Sequence, residues 1–151
     1  SSHVCEVEID PETGVVTIDR YTAAHDVGVE LNPMLVDGQV LGGIAQAAGQ
    51  AMMEQVVYES DTGQMLSGSF MDYAMPHADV FPRIDIDRNP IPTRTNPLGV
   101  KGAGECGTVG ALPAVMNAIN DALAPLGISN IMMPATPAKI WEAIQKQGVH
   151  H

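Results

Sequence analysis

Aromatic side chains are scarce in this 151-residue chain, which has one Trp, three Tyr and two Phe. Cations are scarce as well: seven Lys and Arg face eighteen Asp and Glu, for a formal net charge of −11. That balance argues against nucleic acid and anionic membranes as partners, because both would be repelled. Only two cysteines occur, Cys5 and Cys106, too few for an iron–sulfur cluster or a Cys-rich zinc site. A reduced, cytoplasmic setting is the expectation for so few thiols. No stretch approaches the roughly 20 consecutive apolar residues of a membrane span. No basic segment followed by an apolar run marks a secretory signal.

What is present is 45% hydrophobic residues, nine Met and fifteen Gly in the length of a single domain. The mixture suggests a core built on close backbone approach and filled by adaptable Met side chains. A short chain of this kind is expected to pack against more protein.

The opening reads as a hairpin. Residues 3–9 and 15–21 are rich in β-formers, and Asp10-Pro11-Glu12-Thr13-Gly14 is turn chemistry. Residues 31–36 read as a connector, followed by a helix over 37–58 with Asp37 as its N-cap. Gln39, Gly43, Gln46 and Gln50 fall on one line of that helix. Its glycines, Gly42, Gly43 and Gly49, cost roughly 1 kcal/mol each relative to Ala. Two readings explain them: tight packing against another backbone with solvated glutamines, or a helix N-terminus, led by Gln39, facing a polar ligand.

Residues 67–74 and 83–87 are the expected strands of a Pro-punctuated region. A second helix is predicted over 111–123 with Pro113 in its first turn, and a third from Thr136 as N-cap with Pro137 at its first position. Ile140, Trp141 and Ile144 form the buried face of the third. The sum is an α+β fold: an N-terminal hairpin and further strands in a mixed sheet, packed with three helices. Ser1-Ser2 and His150-His151 are left out of the fold argument.

Gly102-Ala103-Gly104-Glu105-Cys106-Gly107 matches G-x-G-x-x-G, but in the wrong context for a dinucleotide. Asn96-Pro97-Leu98-Gly99 precedes it where a strand is required, and a carboxylate inside the loop would repel a pyrophosphate. Lys101 precedes the glycines, which excludes a Walker loop. Read instead around Glu105, the glycines let backbone approach a bulky ligand. An apolar enclosure there would raise the carboxylate pKa towards a general base's range, while a nearby Lys101 would oppose it. The competing reading is a tight loop whose Glu105 faces solvent or caps the next helix. His25-Asp26 reads as a surface pair at a strand end, His77 and Asp79 lack a third metal ligand, and Cys106 reads as a small buried thiol.

The ordered motifs extend over nearly the whole chain. They are Cys5-Glu6-Val7-Glu8-Ile9-Asp10-Pro11-Glu12-Thr13-Gly14, Asp26-Val27-Gly28 with Asn32-Pro33, and Gly38-Gln39-Val40-Leu41-Gly42-Gly43-Ile44-Ala45-Gln46. Further on come Ser69-Phe70-Met71-Asp72-Tyr73, Thr95-Asn96-Pro97-Leu98-Gly99-Val100-Lys101-Gly102-Ala103-Gly104-Glu105, and Pro134-Ala135-Thr136-Pro137. In this order they resemble the C-terminal part of the molybdopterin-binding large subunit of the xanthine dehydrogenase, aldehyde oxidase and aerobic carbon monoxide dehydrogenase family.

The resemblance implies that residues 1–151 are a fragment of a molybdenum-cofactor-binding domain in an oxidoreductase. It implies that Glu105 is the base beside the molybdenum, and that Gln39 hydrogen-bonds the pterin. Gly102 and Gly104 would let the loop pass close to the cofactor. The cofactor is expected in its cytosine dinucleotide form. FAD and [2Fe–2S] clusters would sit on other domains or subunits, and the partners would be those subunits, the remainder of the large subunit and a small-molecule substrate. The chain alone is expected to bind no cofactor tightly and to be inactive. Two other classes remain: a non-catalytic interaction domain, and a nucleotide-binding module using the Gly-rich loop.

Overall fold

The computed structural model describes residues 1–148, so His150-His151 lies outside the described residues. Strands β1 (Ser2–Ile9) and β2 (Val16–His25) pair antiparallel, with a bulge between Glu6 and Val7. Their turn is built as the sequence suggests. The Asp10 carboxylate accepts the Glu12 amide at 2.9 Å and the Thr13 hydroxyl at 2.6 Å, and Gly14 takes a φ of 76°. Ser2, set aside above, is in fact the first residue of β1. Strand β3 (Ile84–Arg88) adds parallel to β2, from Tyr21↔Ile84 to His25↔Arg88. The result is a mixed three-stranded sheet with β2 at its centre.

The other expected strand does not form. At residues 67–74 the Ser69 hydroxyl donates to the Asp72 carboxylate at 2.7 Å. The amides of Asp72 and Tyr73 fold back onto the Ser69 carbonyl. Such local bonding competes with a strand ladder, and it leaves Phe70 86% and Met71 94% exposed.

Helix α1 runs over Pro33–Met52, four residues earlier at its start than expected. Asn32 is the N-cap: its side-chain oxygen accepts the Leu35 amide at 3.2 Å, with Pro33 at the first helical position. The helix stops at Met52, where the amides of Met53 and Glu54 both donate to the Gly49 carbonyl. Beyond it the β-formers Val56 to Tyr58 lead into a small hairpin closed by a Tyr58–Met65 bridge. Helix α2 (Cys106–Leu123) also begins earlier than expected, directly off the Gly-rich loop, and Pro113 lies inside it rather than in its first turn. Helix α3 (Pro137–Gly148) starts where Thr136-Pro137 indicated, and the Thr136 hydroxyl accepts the Lys139 amide at 3.5 Å. Of its expected buried face only Ile140 is fully buried, while Trp141 is 42% exposed.

The core lies between the sheet and the α1–α2 pair. Tyr21 of β2, Ile44 of α1, Ile119 and Leu123 of α2, and Ile140 of α3 are its largest fully buried side chains. Ala47, Ala48, Ala51 and Ala111 fill the space between them. The expectation of close backbone approach therefore holds, but that of a Met-filled core does not. Only Met52 and Met116 are buried, and most of the others are exposed. Among the described residues, no helix is long and apolar enough to cross a membrane.

Candidate functional site

Helices α1 and α2 cross on glycines, and the crossing positions the loop that carries Glu105. A Cβ on Gly107 would lie 2.3 Å from the Val40 carbonyl oxygen, and one on Gly43 would lie 2.9 Å from the Thr108 amide. Hydrogen at both positions lets the two backbones touch. The line of polar residues read along α1 follows this seam. Gln39 donates from Nε2 to the Gly104 carbonyl at 2.8 Å, and Gln46 accepts from the Thr108 hydroxyl at 3.4 Å. Of the two readings of that line, the tight packing is seen at Gly43. The exposed glutamines bond the loop and the start of α2. Gln39 sits in the second turn of α1, not at the N-terminus expected, because the helix begins at Pro33.

The segment entering the loop is strapped to the end of β2. The Val29 amide donates to the Gly99 carbonyl at 3.1 Å and the Lys101 amide to the Val27 carbonyl at 2.8 Å, around a Gly28–Val100 bridge. Gly28 is required here twice over: its φ is 66°, and a Cβ would meet the Gly99 carbonyl oxygen at 2.2 Å. Asn96 closes the same segment by exchanging side-chain bonds with the backbone of Val100. Asp26 completes the strap. Its Oδ1 accepts the Gly28 and Ile91 amides at 2.9 and 3.0 Å, and its Oδ2 accepts Lys101 Nζ at 2.5 Å.

Past Lys101 the loop is open. Among the described residues the amides of Gly102, Ala103 and Gly104 have no partner, and nothing lies within 4 Å of a Cβ placed on Gly102 or Gly104. Glu105 is the N-cap of α2 by backbone position, yet its side chain makes no capping bond and is exposed. Of the competing reading, the cap does not form, and the side chain faces solvent as that reading expected. This chain's own residues form no apolar enclosure around Glu105, contrary to the expectation of a desolvated carboxylate. Just after it, Cys106 is held from both sides. Its carbonyl accepts from the His3 ring at 3.2 Å, and its thiol donates to the Ala103 carbonyl at 3.1 Å. His3 in turn bonds the Tyr21 hydroxyl through Nδ1 at 2.8 Å. Burial lowers the His3 pKa and disfavours its charged form.

The remaining candidates separate cleanly. His25 is not a surface residue: it is 2% exposed, with Nε2 3.4 Å from Glu30, which also pairs with Arg88 at 3.1 Å. Arg88 reaches on to Asp37, so the residue expected to cap α1 is instead an ion-pair partner. His77 precedes a short 3-10 turn (Ala78–Val80), and no three metal-ligating side chains converge among the described residues. Both cysteines are free, and burial pushes the Cys5 thiol up to about 11. The strap itself was missed. The Asp26-Val27-Gly28 spelling of an Asx turn was the available signal, but its partner Lys101 lies 75 positions away.

The Lys101 ammonium, followed by the Ile91 and Gly28 amides, holds the Asp26 carboxyl down to about 2. A depressed carboxylate stabilises the fold above its unfolded value near 3.9 and loses that contribution as pH falls towards the folded value. Asp26→Asn is therefore expected to flatten the acid limb of stability between about pH 4 and pH 2. Acid unfolding followed by circular dichroism checks this, and an unchanged limb would count against the pairing.

Residues 1–82 match the molybdopterin cofactor-binding domain family. The nicotine 6-hydroxylase large subunit of Paenarthrobacter nicotinovorans is 41% identical over 93% of this chain and 17% of its own length. The carbon monoxide dehydrogenase large chain of Afipia carboxidovorans is 37% identical over 99% of this chain and 18% of its own. The crystal structure of a Cu,Mo-CO dehydrogenase superposes with a TM-score of 0.90 at 37% identity, over 97% of this chain and 18% of that one. This chain thus spans less than a fifth of the length of these relatives. With the mixed sheet, the helix pair and the ordered motifs all in agreement, the chain belongs to the molybdopterin cofactor-binding domain family found in the large subunits of molybdenum hydroxylases.

Proposed function

We propose that this chain contributes the catalytic base and part of the cofactor wall of a molybdenum hydroxylase, with Glu105 as the base. One observation carries the reading. Glu105 stands uncapped at the head of a rigid helix, beside a glycine loop whose outer face is open and whose amides are free.

The residues fit a pterin cofactor. Gly102 and Gly104 leave clearance for a large planar group, and the amides of 102–104, without partners among the described residues, are hydrogen-bond donors available in the same loop. Gln39 keeps its side-chain oxygen free while its amide nitrogen holds the Gly104 carbonyl. When bound, the cofactor supplies the redox centre, which accepts the electrons taken from substrate. Glu105 accepts a proton at its carboxylate. Gln39 orients loop and cofactor together, and the α1–α2 seam fixes the geometry in which both act. Because Glu105 is exposed here, its desolvation must come from cofactor, substrate and the rest of the subunit. For the same reason the chain by itself is inactive.

The cytosine dinucleotide form of the cofactor, and FAD and [2Fe–2S] partners on other subunits, complete this reading. The substrate is a small molecule whose pocket is formed mostly by other parts of the subunit. Turnover of Glu105→Gln, measured in the assembled enzyme with molybdenum content as the control, tests the assignment. A second substitution tests the clearance. Gly102→Val is expected to leave the melting temperature of the subunit within the small range of surface changes while sharply lowering its molybdenum content. Normal loading of Gly102→Val would refute cofactor contact at this loop.

A further inference from the structure

The loop bearing Glu105 is short and has few bonds of its own, so whatever fixes its ends fixes the base. Downstream the end is α2, locked to α1 at Gly107 and to β1 through His3. Upstream, Asn96 closes the segment onto Val100 within the same stretch of chain, and the side-chain tie from the loop's base to another element is the Lys101 ammonium on Asp26. Asp26 is itself immobilised, because its other oxygen takes two backbone amides, one from its own turn and one from Ile91 beyond β3. A carboxylate held by two amides is a fixed point rather than a floating surface charge.

We infer that Asp26 and Lys101 are positioning residues: the pair latches the base of the 102–105 loop to the end of β2 and so sets where the Glu105 carboxylate stands. The latch rests on the reading of Glu105 given above, but it has a local signature of its own. The latch also occupies the Lys101 ammonium with a dedicated counter-charge, four residues from the base, and keeps it from wandering towards Glu105. Neither residue touches the reacting atoms; both act through the loop.

The chemistry allows a clean separation of latch from turn. In Asp26→Asn the amide oxygen can keep both backbone bonds of Oδ1, while the amino group presents donors to Lys101 where an acceptor stood. Lys101→Met removes the pair from the other side. The experiment compares Asp26→Asn, Lys101→Met and the double variant in the full-length subunit assembled in its enzyme. Hydrogen exchange at the Val29 and Lys101 amides reads the strap, and kcat, KM and molybdenum content are measured alongside.

Each single variant is expected to raise exchange at those amides about tenfold and lower kcat about tenfold, in keeping with the cost of small misplacements. KM and molybdenum content should stay unchanged, and the double variant should be no worse than either single, as for two residues acting as one unit. Unchanged exchange overturns the latch. A kcat loss that only follows lost molybdenum also overturns it, since the pair would then serve folding alone. Raised exchange with unchanged kcat overturns the positioning role where Glu105→Gln in the same enzyme lowers turnover, and refutes Glu105 as the base where Glu105→Gln leaves turnover unchanged too.

Discussion

Glu105→Gln in the assembled enzyme lowers kcat by roughly 10²–10⁴, the usual worth of a positioned general base. Molybdenum content and melting temperature stay at their normal values. The separation is expected because the substitution is nearly isosteric and the Glu105 side chain carries no structural duty. It makes no capping bond to α2 and is exposed in this chain. Loss of a true N-cap would cost about 1 kcal/mol of stability, but here the helix is held instead by its seam with α1. A glutamine retains volume and hydrogen bonding and loses only the ability to take a proton. Unchanged turnover would favour the rival in which this segment is a non-catalytic interaction surface. Saturable micromolar binding of a nucleotide would favour the other rival; the loop's exposed glutamate makes that outcome unexpected.

Gly107→Ala is expected to destabilise the full-length subunit by about 3 kcal/mol or to abolish soluble expression, the upper range for overpacking. The added carbon would meet the backbone of α1 at Val40 and Ile44 at 2.3 and 3.1 Å. Neither is the end of a flexible side chain, so relief requires the helices to part. Separation would pull Gln39 away from the Gly104 carbonyl as well, so any folded remnant should also lose activity. Gly42→Ala is the control. It lies in the same helix with nothing within 4 Å of its Cβ, and replacing a helical glycine there should stabilise by up to about 1 kcal/mol. Equal melting temperatures for the two variants would mean that the seam is not tight.

What could be read along the chain divides by how local its cause is. The β1–β2 turn and the start of α3 follow from neighbours in sequence, an Asx turn before a glycine and a Thr-Pro cap. Asn32-Pro33 is the same kind of signal as Thr136-Pro137, yet in the sequence it competes with Asp37, which offers a second cap. In the structure Asp37 answers to Arg88, a partner on another element. The start of α2 was hidden by Gly107 and Gly110, which are poor helix formers by propensity but are needed where α2 touches α1 and the His3 ring. Trp141 looked buried on pattern, but it lies at the rim of α3. The site divides in the same way. Glu105, Gln39 and the loop glycines stood out by their motif, whereas Asp26, His3 and Thr108 matter through contacts that no local window contains.

The bonds that frame the loop join residues far apart in sequence: Gln39 to Gly104 across 65 positions, Asp26 to Lys101 across 75, His3 to Cys106 across 103. Closing such spans costs chain entropy that local helix formation does not repay. The loop's shape therefore depends on the hairpin and both long helices being docked. It follows that no peptide cut from this sequence reproduces the geometry, and that grafting Gly102–Glu105 alone onto another scaffold would transfer the motif without its conformation. The unit that can be inherited, moved or redesigned is the whole assembly of strand end, helix seam and loop.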